Sequence, residues 1–165
     1  MSFGPGAEKA RRRVLSGLPV TLYLWRMLPL AAFAGLRVVR LDDQACSVRL
    51  PGGWRTRNPF ASTYFAAQAM AAEMSTGAPG LVLREDAPRP VSMLVLSVRA
   101  SYSKRLTGPG SFTCEDVPTI RAAIERAAAS DEPQVVSARS IGRNADAEVV
   151  AEVVVDWSFK RRAPR

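Results

Sequence analysis

The alternation of hydrophobic and polar residues along the chain predicts six β-strands. Two short alternating runs, 36–41 and 46–50, flank the polar triplet Asp42-Asp43-Gln44 and indicate a hairpin. Longer strand-like runs follow at residues 91–104, 110–115, 134–141 and 148–159. The last two are joined by a Gly- and Asn-containing turn at 142–146, which indicates a second hairpin.

A central helix is predicted between the second and third strands. Residues 61–76 are rich in alanine and contain neither Gly nor Pro, which favours a helix. Asn58 followed by Pro59 is typical of an N-cap and a first helical position, and Gly77 is expected to end the helix. Residues 78–90 contain three prolines and are expected to form a loop.

This helix differs from an ordinary surface helix because it has no polar face. Between residues 64 and 74 only Gln68 and Glu73 are strongly polar, so protein must enclose the helix on all sides. Residues 119–129, in contrast, have one apolar and one charged face and predict an outer helix. The order of elements predicts an α+β hotdog fold, a curved antiparallel sheet of about six strands wrapped around a buried central helix. The last strand is long and apolar enough either to lie centrally or to pair across a dimer.

The chain is expected to divide into an N-terminal segment, 1–34, and the hotdog domain, 35–162. The N-terminal segment begins as a basic arm, flexible or helical, and continues as an apolar run broken by Pro19 and Pro29. Arg26 lies in the middle of that run, where a spanning helix would bear a cost of roughly 2.5–3.5 kcal/mol for the charge. The pieces are too short to cross a bilayer. They predict short helices packed on the domain or at a membrane surface.

Charge and composition restrict the chemistry. The net charge of +8 and the pI near 10.5 favour polyanionic partners such as the phosphates of coenzyme A. The aromatic residues are not interleaved with the basic ones, so nucleic acid is not expected. The chain contains no histidine, which excludes Ser-His and Cys-His nucleophiles and the usual zinc sites. Cys46 and Cys114 lack metal-binding spacing and are expected to pack as small hydrophobes in a reducing, cytoplasmic setting; no cofactor is expected.

The segment 57–73 carries a spacing that resembles the hotdog acyl-CoA thioesterases of the phenylacetyl-CoA type. Asn58, Ala61, Ala72 and Glu73 occupy positions that match the motif of those enzymes. Residues 101–104 and 112–115 also resemble a poorly characterised bacterial branch of that superfamily. The resemblance covers roughly residues 35–160 and implies a thioesterase that uses neither a metal nor a cofactor.

The resemblance implies that Glu73 and Asn58 are the catalytic residues. In the similar enzymes the carboxylate activates water or attacks the thioester carbonyl, and a backbone N–H at the helix start binds the oxyanion. Tyr64 stands at the position of the family's histidine, and Phe65 with Ala66 replaces two glycines. From chemistry alone, an enclosed Glu73 would have a raised pKa, suited to a base, unless it pairs with an arginine or caps the backbone.

Five further residues are predicted to bind the substrate. They are Arg57, Tyr64, Phe65, Gln68 and Thr76. Four of them have a structural alternative: Arg57 could form a surface ion pair, Tyr64 could be an aromatic core residue, Gln68 could lie in a dimer interface, and Thr76 could end the helix.

A helix from Asn58 to Glu73 would place these two residues about 22 Å apart in one subunit. A site that uses both therefore needs a second subunit, and the chain is expected to be a homodimer or a tetramer. The function predicted first is hydrolysis of acyl-CoA or acyl-carrier-protein thioesters. The alternatives are a non-catalytic dimer that binds acyl-CoA or fatty acyl ligands, and a peripheral membrane scaffold with a weak membrane-surface contact.

Overall fold

Six strands form one antiparallel sheet within residues 2–162, the part of the chain that the computed structural model describes. The strands are β1 Arg37–Leu41, β2 Cys46–Leu50, β3 Val91–Tyr102, β4 Gly110–Cys114, β5 Gln134–Asn144 and β6 Val149–Arg161. The helices are α1 Pro5–Leu15, α2 Gly17–Met27, α3 Pro29–Ala34, α4 Phe65–Leu83 and α5 Val117–Ala129, and short 3-10 turns occur at Trp54–Thr56 and Arg84–Asp86. The strand order is β1-β2-β4-β5-β6-β3.

The sheet wraps around α4 and covers most of its surface, as the lack of a polar face predicts. Side chains at alternate positions of β6 point inward, and Trp157 and Phe159 pack directly against the helix. At Gly77 a Cβ atom would lie 2.9 Å from the Trp157 ring, and at Gly80 it would lie 3.2 Å from the Phe159 ring. The two glycines therefore let the sheet approach the helix closely. The predicted hotdog arrangement is confirmed.

The bounds of the central helix differ from the prediction at both ends. The helix begins at Phe65 rather than Ala61, and it continues past Gly77 and through Pro79 to Leu83. Gly77 does not end the helix because the Trp157 ring requires a small residue there, and this packing overrides the low helix propensity of glycine. Residues 78–83, predicted as a loop, are thus the buried last turns of α4.

The late start of α4 has a local cause. The side-chain oxygen of Asn58 accepts hydrogen bonds from the backbone N–H groups of Phe60 at 3.0 Å and Ser62 at 3.1 Å, which closes a tight turn. Within that turn Ala61 has φ +57°, a left-handed conformation that no α-helix contains. Asn58 therefore holds a turn, and the prediction that it is the N-cap is wrong; the N-cap is Tyr64.

The two edges of the sheet are β1 and β3, since β6 pairs with β5 on one side and with β3 on the other. Of the two positions predicted for the last strand, the central one is therefore correct. The edge strand β3 is twelve residues long, and Leu94, Leu96 and Val98 on it are exposed. A long apolar edge of this kind is a template for pairing with another strand.

The basic arm is a helix rather than a flexible segment. The N–H groups of Gly6 and Ala7 at the start of α1 donate hydrogen bonds of 2.9 and 3.0 Å to the Asp86 carboxylate, and Ala7 is fully buried. Farther along α1, Arg11 donates to the Leu41 carbonyl at 3.1 Å. These contacts fix α1 against the end of α4 and the first strand.

The two cysteines lie opposite each other in the core. Cys46 on β2 and Cys114 on β4 are direct partners in the register, and both are free and fully buried. Burial raises the pKa of the Cys114 thiol to about 12 and raises that of Cys46 as well, so both thiols are protonated and poorly reactive near neutral pH.

Candidate active site

Glu73 lies on α4 as a half-buried carboxylate without a partner. Its side chain forms no hydrogen bond or ion pair with another residue in the described part of the chain, so neither the arginine pair nor the backbone cap considered above is present. The space left by Gly77 holds both the Trp157 ring and this carboxylate; a Cβ atom on Gly77 would lie 3.2 Å from Glu73 Oε1. Burial raises the pKa of Glu73 above its ordinary value because the charged form loses water without gaining a donor.

An incompletely covered stripe runs along the first half of α4 and ends at Glu73. Ala66 is exposed, and Ala69, Met70 and Glu73 are half-buried, whereas the other faces of the helix are packed. The spacing of three and four residues places these side chains on one face. We call this set of four residues the α4 stripe.

The edge strand β3 faces the α4 stripe and leaves it open. Val98 stands directly opposite the buried Val155 in the register, so its side chain points to the inner side of the sheet, yet it is exposed. Ala100 and Tyr102 follow on the same inner side and are also exposed. The stripe and these three residues therefore border one incompletely covered apolar region, with Glu73 as its carboxylate; we call this region the cleft.

The start of α4 supplies free hydrogen-bond donors at one end of this cleft. Tyr64 is the N-cap residue, but its side chain accepts no hydrogen bond from the helix start. The N–H groups of Phe65 and Ala66 have no backbone acceptor among the described residues. Such orphan N–H groups lie at the positive end of the helix dipole. They can stabilise negative charge that develops on a carbonyl oxygen.

Three aromatic rings surround these donors. The rings of Tyr64 and Phe65 meet edge to face at 4.7 Å, and those of Phe65 and Tyr102 do so at 6.1 Å. The Tyr102 hydroxyl donates a hydrogen bond of 3.2 Å to the Phe65 carbonyl. Tyr64 and Phe65, both predicted to bind the substrate, are thus about half exposed at the entrance to the cleft.

Sequence reasoning did not assign a role to Tyr102. The strand alternation that places Val98, Ala100 and Tyr102 on one face could have identified it. Its position beside Phe65 depends on the pairing of β3 with β6, which cannot be read from the sequence of β3 alone.

The other predicted site residues have structural partners or lie away from the α4 stripe. Gln68 is 4% exposed on the packed side of α4, where its Nε2 donates to the Thr63 carbonyl at 3.2 Å and its Oε1 has no partner in residues 2–162. Its burial within the subunit argues against the dimer-interface alternative. Arg57 is exposed in the connector, and no carboxylate in the described residues pairs with it. Asn58 has its side-chain oxygen occupied by the turn described above.

Thr76 is fully buried and serves the packing of the sheet on the helix. Its hydroxyl oxygen accepts a hydrogen bond of 2.9 Å from Trp157 Nε1 and lies 2.9 Å from the Glu73 carbonyl, which can accept its proton. It therefore fixes the ring that borders the Glu73 carboxylate. It does not end the helix, which continues to Leu83.

Replacing Thr76 with the isosteric valine is expected to destabilise the fold by about 1–3 kcal/mol, because the Trp157 N–H would be buried without an acceptor. The free energy of unfolding from chemical denaturation measures this effect. Thr119→Val on the exposed face of α5 is the matched control and should change stability little. A Thr76→Val protein as stable as wild type would contradict the assigned role.

Neither a metal centre nor a membrane span is found in residues 2–162. No group of three or more His, Cys, Asp or Glu side chains is placed to hold a metal ion within this part of the chain. Nor does the described part contain a helix with the length and apolar character needed to cross a bilayer.

Several solved structures superpose on this chain over most of its length. A Pseudomonas aeruginosa protein of unknown function, named as a probable thioesterase, superposes with a TM-score of 0.69 at 18% identity, over 98% of this chain and 100% of that one. A Haemophilus influenzae thioesterase superposes with a TM-score of 0.66 at 13% identity, over 88% and 91% of the two chains.

A third similar protein is a thioesterase from Staphylococcus aureus, with a TM-score of 0.60 at 16% identity over 80% of this chain and 98% of that one. Two structures of that protein carry alanine in place of a glutamine in one and of a glutamate in the other. No curated protein matches the sequence significantly. Residues 20–158 match the family model of a domain of unknown function, DUF4442, and the chain therefore belongs to this family, here with a hotdog fold.

Proposed function

We propose that the protein hydrolyses acyl thioesters of coenzyme A or of acyl carrier protein. In the proposed reaction Glu73 takes a proton from water, the water oxygen bonds to the thioester carbonyl carbon, and the carbon–sulfur bond breaks as the departing thiolate takes the proton from Glu73. The products are a carboxylic acid and a free thiol. An alternative course begins with direct attack by the Glu73 carboxylate on the carbonyl, which expels the thiolate and forms an anhydride; water then hydrolyses the anhydride to the same products.

The observation that carries this proposal is the unpaired Glu73 carboxylate at the end of an apolar cleft. A carboxylate that only stabilised the fold would be expected to have a donor or a cation beside it, because desolvation without compensation is costly. Glu73 has neither, and its raised pKa makes it a better proton acceptor near neutrality. A catalytic role for the free carboxylate would explain why it is desolvated without a partner.

The spacing of the polar residues gives further support. In the Staphylococcus aureus thioesterase the glutamine and the glutamate replaced by alanine stand fifteen positions apart. Asn58 and Glu73 have the same separation in this chain. An amide residue followed fifteen positions later by a glutamate is thus common to both sequences, which supports a role for both residues here. Asn58 would act with its side-chain N–H₂ group, because its oxygen is used in the turn.

The free N–H groups at the start of α4 are the proposed oxyanion site. Phe65 and Glu73 are eight residues apart on the helix, which is about 12 Å along the axis. One thioester carbonyl cannot contact both groups of the same subunit. The proposed site therefore combines the helix start of one subunit with Glu73 of a second.

The edge strand β3 is the proposed dimer interface. It borders the cleft, and its exposed backbone edge can pair with the β3 strand of a second copy. The opposite edge, β1, has only five residues and carries Arg37 and Arg40, and charges of this kind discourage pairing. Pairing through β3 would bring a second subunit to the open side of the α4 stripe.

Blocking this edge is expected to produce inactive monomers. The double variant Leu94→Lys and Leu96→Lys places charges at positions that are 63% and 52% exposed in the subunit, so the fold should tolerate them. Sedimentation velocity should show the loss of the dimer, and thiol release should fall to background. Val39→Lys on the other edge, 55% exposed in wild type, is the matched control and should remain dimeric and active. A double variant that stays dimeric would refute this interface.

Thiol release from a panel of acyl-CoA and acyl-carrier-protein substrates tests the activity itself. We expect turnover that saturates with at least one acyl chain. Phe65 in place of a glycine narrows the approach to the helix start, which favours the second candidate, an acyl-CoA-binding protein without catalysis. Saturable binding of a non-hydrolysable acyl-CoA analogue without any thiol release would select that candidate. The reduced, buried Cys46 and Cys114 support a cytoplasmic location.

A further inference from the structure

The helices α2 and α3 present an apolar surface that nothing in the described chain covers. Of the α2 side chains only Leu24 is buried. Leu18, Leu22 and Trp25 follow at intervals of four and three residues, which places them in one stripe, and they are 86%, 76% and 52% exposed. Leu30 in α3 is also exposed, at 70%. Exposed apolar residues of this number on adjacent helices indicate an interaction surface rather than chance exposure.

Aromatic residues extend this surface toward the connector before α4. The Phe33 ring of α3 meets the Trp54 ring edge to face at 5.8 Å, and Trp54 itself is 72% exposed. The guanidinium of Arg55 lies over both rings, 5.8 Å from the centre of Phe33 and 5.7 Å from that of Trp54. We call the exposed apolar residues of α2 and α3, together with Trp54, the α2–α3 face.

The segment that carries the α2–α3 face is strongly basic, and of its arginines Arg40 forms an ion pair with Asp42. Before Leu41 the chain contains seven basic residues and a single acidic one, Glu8. The seven are Lys9, Arg11, Arg12, Arg13, Arg26, Arg37 and Arg40. Glu8 is shared by Arg11 and Arg12, so its one negative charge is already neutralised.

Specific contacts place several of these cations beside α2. Lys9 and Arg13 of α1 line a cleft with Pro19, Val20 and Tyr23 of α2. On the other side Arg37 donates a hydrogen bond of 2.6 Å to the Thr21 hydroxyl. Neither Lys9 nor Arg13 forms an ion pair with a described carboxylate. Unpaired positive charge therefore lies at the border of the apolar stripe.

We infer that the α2–α3 face binds the surface of a bilayer containing anionic lipids. Exposed leucine and tryptophan side chains enter the headgroup region, and the surrounding lysine and arginine side chains contact lipid phosphates. A second copy of the chain fits less well, because it would bring the same basic border against itself. The helices have eleven and six residues and are separated at Leu28, so they lie on the membrane and do not span it.

Co-sedimentation of the whole protein with vesicles tests this inference. We expect binding to vesicles of phosphatidylcholine and phosphatidylglycerol, weaker binding at high salt, and little binding to phosphatidylcholine alone. Leu22→Glu with Trp25→Glu should abolish binding. Arg13→Glu should weaken it about five-fold or more, since one cation near an anionic surface contributes about that factor.

Matched controls distinguish an effect of the α2–α3 face from an effect of the protein's overall charge or of exposed apolar residues elsewhere. Val135→Glu, on the outer face of β5 and 58% exposed in wild type, and Lys160→Glu, exposed on β6, should bind vesicles as wild type does. Circular dichroism establishes that each variant is folded. All of these variants should hydrolyse soluble acyl-CoA normally, so the outcome is independent of the proposed function.

Three results would overturn the inference. The first is the absence of co-sedimentation with the anionic vesicles, and the second is co-sedimentation that persists in the Leu22→Glu and Trp25→Glu double variant. The third is concentration-dependent self-association that this double variant abolishes while the wild type does not bind vesicles, which would assign the face to a second copy.

Discussion

Replacement of Glu73 by glutamine is expected to lower kcat/KM for acyl-CoA hydrolysis by about two to four orders of magnitude. Glutamine has nearly the same shape and can occupy the space beside Gly77 and Trp157, but it cannot accept a proton from water or form an acyl intermediate. A fall in kcat/KM of this size is usual when a general base is removed. Thiol release, followed with a chromogenic disulfide, measures the effect at saturating and limiting substrate.

The matched control for this substitution is Glu125→Gln on the exposed face of α5. It removes the same charge from the same type of element and should leave turnover unchanged. Substrate binding should survive in the Glu73→Gln protein, since the apolar residues that border the cleft are intact. Turnover at the wild-type rate in that protein would eliminate Glu73 as base or nucleophile and leave the acyl-binding alternative.

The pH dependence of hydrolysis should reflect the raised pKa of Glu73. Only the ionised carboxylate can act, so kcat/KM should fall as the pH drops through the pKa of the folded enzyme. Because burial raises that pKa, the fall should begin at a higher pH than an ordinary glutamate, with a pKa of 4.5, would cause. A rate that stays constant down to pH 4.5 would contradict the role of Glu73.

Ionisation of Glu73 should lower the stability of the folded protein. A folded pKa above the unfolded one means that the folded state holds its proton more tightly, so stability falls as the pH rises from 4.5 through the folded pKa. Glu73→Gln should therefore be more stable than wild type at pH 7, and the difference should disappear below pH 4.5. Thermal unfolding of both proteins at the two pH values measures it. A loss of activity combined with a gain of stability is typical of a site residue.

The architecture could be predicted from the sequence because each element has a strong local pattern. The alternation in β2 and β6 shows which side of each strand is buried. The apolar composition of α4 shows that most of the helix surface is buried. A helix without a polar face must be enclosed, and a sheet of about six strands is the element available to enclose it. The fold class follows from this single requirement.

The bounds of α4 could not be predicted, because contacts distant in sequence decide them. The sequence around Gly77 is typical of a helix end, but the Trp157 ring, eighty residues later, packs against Gly77 within the helix. Ala61 belongs to a good helix-forming segment, yet the Asn58 turn forces it into a left-handed conformation. Local propensity predicts the type of an element better than its ends.

Only part of the candidate site follows from the sequence. Glu73 is indicated both by the motif and by its position in an apolar helix, whereas no sequence pattern pairs Thr76 with Trp157 or Phe65 with Tyr102. Both pairs join α4 to strands that follow it in the chain. They depend on the register of β3 and β6, which no local pattern specifies.

Replacement of Phe65 by proline is expected to lower hydrolysis by about 10²- to 10³-fold, the usual effect of losing one oxyanion donor. Proline lacks the N–H group but suits the first position of a helix, and Tyr64 already has the extended conformation that a residue before proline requires. The fold should therefore survive. Phe65→Ala is the matched control: it removes the ring, keeps the N–H group and should retain activity. Equal losses in both variants would show that the ring, and not the donor, matters.

Mixing the two inactive proteins tests whether the site is shared between subunits. A heterodimer of Phe65→Pro and Glu73→Gln subunits would contain one site with both substitutions and one with neither, provided that the helix start and the carboxylate come from different chains. If subunits exchange freely, half of the dimers are mixed and about a quarter of wild-type activity should return. If one chain supplied both groups, every site would carry one substitution and no activity would return. Recovery on mixing therefore depends on the 12 Å that separate Phe65 from Glu73 along the helix, about eight residues at 1.5 Å each.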